Sequence, residues 1–322
     1  MRSRNSVLII GNGFDIDLGL KSRYSDFAKS QYWENNIEHA THSSNSLLQS
    51  LINAKEKSDW FDIEQAMLNY VLEQMELFEK SNYEYDSFDD DRQQYLLVCK
   101  QLKEYLQDES AKETLNMNSV AMKIIESICN SHMFTAIYSF NYTDLDSLLD
   151  QRNLKSHPKI FHVHGSLAEK DDIILGVESD KVLPKQYNFL YKTSSDYYRS
   201  NNIYEDLMKA NEVIFFGHSI DGMDFKYFQK FFQNASSEDA SNYKKRYIRI
   251  ITGESASKIN IEYNLRTKGI DPFDLYRLND LDFIYTIECE RGNEHEKSKL
   301  NSFIIHLNEE RNENMMPKIK ML

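Results

Sequence analysis

Four apolar residues, Val7-Leu8-Ile9-Ile10, stand directly before Gly11-Asn12-Gly13-Phe14-Asp15. An unbroken, largely β-branched run of this length marks a strand buried on both faces. A central strand that feeds a glycine-rich turn is how nucleotide-binding α/β folds begin. From residue 31 to 130 the pattern changes, because Gly and Pro are absent and the apolar positions recur at helical steps. Ile63, Met67, Tyr70/Val71 and Phe78, with Gln74 as one polar break, predict a helix. Tyr95 to Leu106 and Val120 to Ile128 read the same way. Asn82 to Arg92, with Asp86, Asp89, Asp90 and Asp91, reads as an acidic surface loop.

Strand patterns resume at Phe134 to Phe140 and recur at Lys159 to His164, Ile173 to Val177, Val213 to Phe216, Tyr247 to Thr252 and Asp282 to Glu288. Helical patterns lie between some of them, at Asp224 to Gln233 and Ser255 to Thr267. From about Lys297 onward the chain reads as one polar helix with a frayed basic end. Alternating strands and helices predict an α/β, Rossmann-like, mostly parallel sheet flanked by helices, with a large helical insertion. The expected division is an α/β nucleotide-binding domain over 1–30 and 131–295, a helical subdomain over 31–130, and a C-terminal helix and tail over 296–322. No internal repeat is present.

Composition narrows the function classes. At 322 residues the chain has length for one large domain or two ordinary ones. A net charge of −13 argues against broad nucleic-acid binding, which needs a basic face. The longest apolar run is five residues, Tyr95 to Cys99, against a membrane span of about 20. The polar start Met1 to Ser6 and the short run behind it do not form a signal peptide. Three scattered cysteines, Cys99, Cys129 and Cys289, exclude a cysteine zinc ribbon and point to the reducing cytoplasm.

Four constellations carry candidate chemistry. Gly11-Asn12-Gly13 lets backbone approach a phosphate, but position 16 is Ile, so the dinucleotide pattern G-x-G-x-x-G is broken. A plain strand-to-helix turn fits equally, with Asp15 as a helix cap or a ribose ligand. Asn141, after the strand that ends in Phe140, either caps the helix opening at Asp144 or faces the ligand crevice. His162 and His164 share a strand face by alternation. His162 reads as a core histidine, whereas His164, followed by Gly165-Ser166, stands where a base can reach a substrate. Two histidines two apart also suit a metal, but no third ligand is apparent nearby and none is expected. Gly217-His218-Ser219 ends another strand, with Asp221 and Asp224 as caps of the next helix. Asp221 also excludes the hydrolase elbow G-x-S-x-G. Four such clusters at the ends of four apolar strands belong together on the ligand side of one sheet.

The set Leu8 to Asp15, Gly19-Leu20, Tyr24-Ser25-Asp26-Phe27, Phe140-Asn141-Tyr142-Thr143, His162-Val163-His164-Gly165 and Gly217-His218-Ser219-Ile220 with Asp224 resembles the bacteriophage abortive-infection AbiH family across residues 7 to 228. The same order is similar, more distantly, to sirtuin-type NAD-binding domains. There Gly11 to Asp15 matches the Gly-Ala-Gly-x-Ser turn, Ser25-Asp26-Phe27 matches Pro-Asp-Phe, Asn141 the asparagine of Asn-x-Asp, His164-Gly165 the catalytic His-Gly, and Gly217-x-Ser219 the late cofactor turn. The zinc cysteines of sirtuins are missing, and their aspartate is Thr143. The resemblance therefore implies an antiphage protein that hydrolyses NAD, as substrate, to nicotinamide and ADP-ribose, without a peptide acceptor. It implies Asn141 and His164 as catalytic residues, and Gly11, Asn12, Gly13, Phe14, Asp15, Asp26, Gly217 and Ser219 as nucleotide-binding residues. The expected partner is a small-molecule nucleotide, with a phage-derived trigger and a homo-oligomer as further candidates and no membrane contact. A non-catalytic nucleotide sensor or interaction module is the alternative, and a metal-dependent hydrolase built on His162 and His164 is the least favoured.

Overall fold

In a computed structural model, which describes residues 5–38, 46–57, 61–81, 88–112, 115–154, 156–199, 201–238 and 244–315, the first apolar run forms β1 (Ser6–Ile10), buried at every position. Helices α1 (Asn12–Asp17), α2 (Tyr24–Phe27) and α3 (Gln31–Trp33) follow, then a π-helical turn over Glu34–Glu38. Next come α4 (Leu47–Lys57), α5 (Ile63–Ser81), α6 (Phe88–Ser110) and α7 (Val120–Asn130). Then β2 (Phe134–Ser139), α8 (Leu145–Gln151) and β3 (Lys159–His162) precede two 3-10 segments, Lys185–Leu190 and Lys192–Ser194. The chain closes with α9 (Ile203–Lys209), β4 (Glu212–Phe216), α10 (Phe225–Ala235), β5 (Tyr247–Thr252), α11 (Ser255–Thr267), α12 (Pro272–Leu278), β6 (Asp280–Tyr285), α13 (Thr286–Glu290) and α14 (Glu294–Met315). No helix among the described residues is long and apolar enough to cross a membrane.

The chain divides into two compact units. The first takes Met1–Gly19, Thr114–Val163 and Ser200–Leu322, and the second takes Leu20–Glu113 and His164–Arg199. Helix α7 thus packs with the sheet, and the second unit gathers a later segment of chain beside α2 to α6.

The first unit is a parallel sheet in the order β3-β2-β1-β4-β5-β6, the Rossmann-like α/β arrangement. Strand order reverses between β1 and β4, where Ile10 pairs with Phe216. Side-chain alternation splits each strand between two cores. Leu8, Ile10, Ile137, Ile214 and Phe216 meet α1, α7, α8 and α14, while Val7, Ile9, Tyr138, Val213 and Phe215 meet α9 to α12. On the second face Phe215 packs against Phe228, Phe231 and Phe232 of α10. Burial of one such ring contributes about 2–3 kcal/mol. Helix α7 starts where Ser119 accepts Met122 N–H (3.1 Å) and the buried Asp17 accepts Ala121 N–H (2.6 Å).

The second unit is built on helices and is tied by a buried carboxylate. Asp91 of α6 accepts the hydroxyls of Tyr70 (3.0 Å) and Tyr187 (2.8 Å), and Leu47 N–H at 3.3 Å. Trp33, fully buried between Phe27 and Phe61, donates its indole N–H to Glu38.

Several expectations change. Asp89, Asp90 and Asp91 form the first turn of α6, where carboxylates oppose the positive helix end, and Asp91 is buried; they are not a surface loop. Residues 82–87, with Asp86, lie outside the described residues, as does the basic end over 316–322. Ile173–Val177 is not a sheet strand. The amides of Ile173, Ile174, Gly176 and Val177 go to Asp172 Oδ1, His164 O, the Glu64 carboxylate and Leu190 O respectively, and only isolated bridges form, Gly165 with Ile173 and Val177 with Tyr191. β6 ends at Tyr285, and Thr286–Glu290 is helical. β3 ends at His162, so the alternation does not reach His164. The three cysteines are free.

Candidate functional site

The carboxyl ends of β1, β2 and β4 bring three of the predicted clusters together in the first unit. Gly11 follows β1 and donates its N–H to Phe216 O (2.9 Å), and Phe140 N–H, after β2, donates to Ile10 O (2.9 Å). The two glycine turns interlock. Gly13 N–H donates to Gly217 O at 2.9 Å, and a Cβ on Gly13 would lie 2.6 Å from Gly217 Cα. Gly217 has φ +66°, and a Cβ there would collide with Phe14 N, so both backbone conformation and space demand glycine. The amides of Gly11, Gly13 and Phe14 are donated to Phe216, Gly217 and Gly11 carbonyls respectively. The glycines therefore have a packing reason of their own. Phe14 is buried edge-on against Phe216 (5.2 Å), while Asn12 and Ser219 are exposed.

Asn141 does not cap α8. Asp144 does, accepting Ser147 N–H at 3.0 Å, and Asn141 instead donates its side-chain amide to Gly11 O at 3.0 Å. Thr143 donates its hydroxyl to Asp15 Oδ2 at 2.6 Å. Asp15 lies inside α1, whose N-cap is Gly11, so Asp15 is no cap either. It is 2% exposed, and burial pushes its carboxyl up to about 6 against the lowering effects of Thr143, Asn141 and the His162 ring. A buried carboxyl that titrates near neutrality at the mouth of a parallel sheet is a recurrent feature of working sites.

Around the Gly217 turn, Ile220 N–H donates to His218 Nδ1 (3.0 Å), which places that ring's proton on Nε2. Ile220 itself is fully buried with φ +53°, a conformation costly for a β-branched residue. Neither Asp221 nor Asp224 makes a side-chain capping bond to the helices that follow. At the β3 end, His162 Nε2 meets Asp146 Oδ2 at 3.4 Å, which holds the Asp146 carboxyl below its usual range, and His162 Nδ1 is buried without a hydrogen-bond partner. Asp144, Asp146 and His162 bring ligand-type atoms within 4.8 Å of one another. Asp144 already receives Ser147 N–H and Oγ, so the group reads as a capped helix start with a histidine–carboxylate hydrogen bond beside it.

The second unit holds the other two predicted residues. Asp26 is half-buried and accepts Arg23 N–H at 3.3 Å, closing the first turn of α2. His164 is 5% exposed, and Lys192 Nζ lies 3.2 Å from its Nε2 and 3.1 Å from Glu64 Oε2. Action as a base through Nε2 requires that contact to open. Neither Lys192 nor Glu64 was legible as a site residue. Glu64 reads as one polar position of an amphipathic helix, and Lys192 stands alone between Tyr191 and Thr193, outside any motif.

Among curated proteins and among solved structures nothing matches the chain. The family model described as bacteriophage abortive infection AbiH matches residues 7–243, well over half of the sequence, and the chain belongs to that family.

Proposed function

We propose that the protein serves phage abortive infection by hydrolysing NAD to nicotinamide and ADP-ribose in the cytoplasm. The observation that carries this reading is Asp15, a buried carboxyl pushed up to about 6 and hydrogen-bonded to Thr143 beside the interlocked Gly11–Gly13 and Gly217–Ser219 turns. Those turns flank the point where strand order reverses, and doubly wound sheets take nucleotides there. The strain at Ile220 supports the same location, since such outliers persist where function requires them.

In the proposed reaction the bond between nicotinamide N1 and ribose C1′ breaks, and nicotinamide leaves with the bonding pair. Water adds to C1′, and its proton passes to a carboxylate that titrates near neutrality, the part assigned to Asp15. The Asn141 amide, held by Gly11 O, gives a neutral polar group that orients the ribose or the water. Asn141 and His164 are the residues whose loss is expected to end turnover. The test is chromatography of NAD incubated with wild type, Asn141→Ala and His164→Ala, alone and in extract of infected cells. Nicotinamide and ADP-ribose from wild type only is the expected result. Full turnover in both variants, or none from wild type in either condition, refutes the proposal.

The second reading, a nucleotide-binding sensor, is favoured by one observation, the Lys192 ammonium on His164 Nε2. It predicts saturable NAD binding by wild type with no product under any condition.

A further inference from the structure

The second unit buries an ion pair between Lys192 and Glu64. Lys192 is 1% exposed, with its stem against Gly176, where an added Cβ would lie 3.1 Å from Lys192 Cγ. Its ammonium meets Glu64 Oε2 at 3.1 Å and His164 Nε2 at 3.2 Å. Each member of the trio is held in place. Glu64, on α5, receives Gly176 N–H on its other oxygen (3.1 Å). The His164 carbonyl accepts Ile174 N–H (2.8 Å), and the next residue, Gly165, has φ +70° and no room for a Cβ against Asp172 O. Taking an ammonium and a carboxylate out of water is expensive, and apolar residues of the same volume often give equal or greater stability. Stability alone therefore does not account for the trio.

The chemistry of the contact limits the ring. An ammonium has three donors and no acceptor, so it meets Nε2 through the ring's lone pair, and the ring proton must sit on Nδ1. We propose that Glu64 and Lys192 are positioning residues that fix His164 in the Nδ1–H tautomer, so that His164 serves turnover as a donor through Nδ1 and not as a base through Nε2. The part about turnover rests on the NAD reading above; the tautomer does not.

The test is nitrogen-15 NMR of the full chain labelled at histidine, with the His164 signals assigned by their loss in His164→Gln. Wild type should show Nδ1 protonated and Nε2 as an unprotonated acceptor. The double variant Glu64→Gln/Lys192→Met keeps the side-chain volumes and removes both charges together, and should move Nε2 toward the protonated position. In the NAD assay the same variant should lose about tenfold or more in kcat with KM little changed, as when a histidine loses its tautomer-fixing partner. A protonated Nε2 in wild type overturns the assignment. Wild-type kcat in a double variant whose tautomer has shifted overturns the positioning role. The Nδ1–H signature in a wild-type protein that forms no nicotinamide supports the tautomer while the NAD reading fails.

Discussion

Replacing Asp15 by asparagine keeps the side-chain shape and removes a group that the native state prefers to hold neutral. Burial raises the Asp15 carboxyl from 3.8 to about 6, and the two hydrogen-bond donors and the His162 ring offset only part of that cost. Between those two values the folded chain binds more protons at Asp15 than the unfolded chain does. The contribution of Asp15 to stability therefore falls as pH rises from about 4 to 6 and stays low above. The displacement corresponds to about 3 kcal/mol. Asparagine does not titrate, but it turns one acceptor into an NH2, which costs about 1 kcal/mol if the Thr143 or Asn141 bond is lost. Asp15→Asn is thus expected to be more stable than wild type by about 1–3 kcal/mol at pH 8 and to have no such advantage at pH 4. Urea unfolding of both proteins at the two pH values, followed by far-ultraviolet circular dichroism, gives the difference, because titrating groups that do not interact with Asp15 cancel. A stability difference between variant and wild type that is the same at both pH values refutes the burial argument. The same variant should lose NAD turnover if Asp15 takes the proton, a trade of activity for stability common at working sites.

Other perturbations probe the scaffold. Asp91→Ala leaves the Tyr70 and Tyr187 hydroxyls and Leu47 N–H without their buried acceptor, and thermal unfolding should report a loss of about 3 kcal/mol or more. Two glycines with nearly equal φ separate conformation from crowding. Gly217→Ala meets Gly13 and Phe14 backbone and should prevent stable folding, whereas Gly222→Ala has nothing within 4 Å and should cost only about 1–2 kcal/mol in urea unfolding. Equal losses at the two positions would mean that crowding against the first glycine turn is unimportant.

Much of the fold was legible because its signals are local. A run such as Val7 to Ile10 or Val213 to Phe216 has few ways to hide from water other than a two-faced central strand, and the Ser255–Thr267 helix matches its pattern end to end. Ile173–Val177 misled for the same reason: an apolar run reports burial, not which neighbour supplies its hydrogen bonds. The Asp89–Asp91 cluster misled because charge suggests solvent, while Asp91 is buried among tyrosine hydroxyls that lie far from it in sequence.

The sequence by itself determined the presence of the six sheet strands, though not that Ile173–Val177 stays out of the sheet, together with most helices, the glycine turns at the strand ends and the family. These follow from periodicity, turn chemistry and motif order, which need no knowledge of distant neighbours. Only the tertiary structure decided that Asn141 holds Gly11 rather than capping α8, that Thr143 and Asp15 form one buried pair, and that Glu64 and Lys192 close on His164. Those contacts join segments far apart in the chain, and their partners are chosen by the closure of the fold, for which no spacing along the sequence carries a signal.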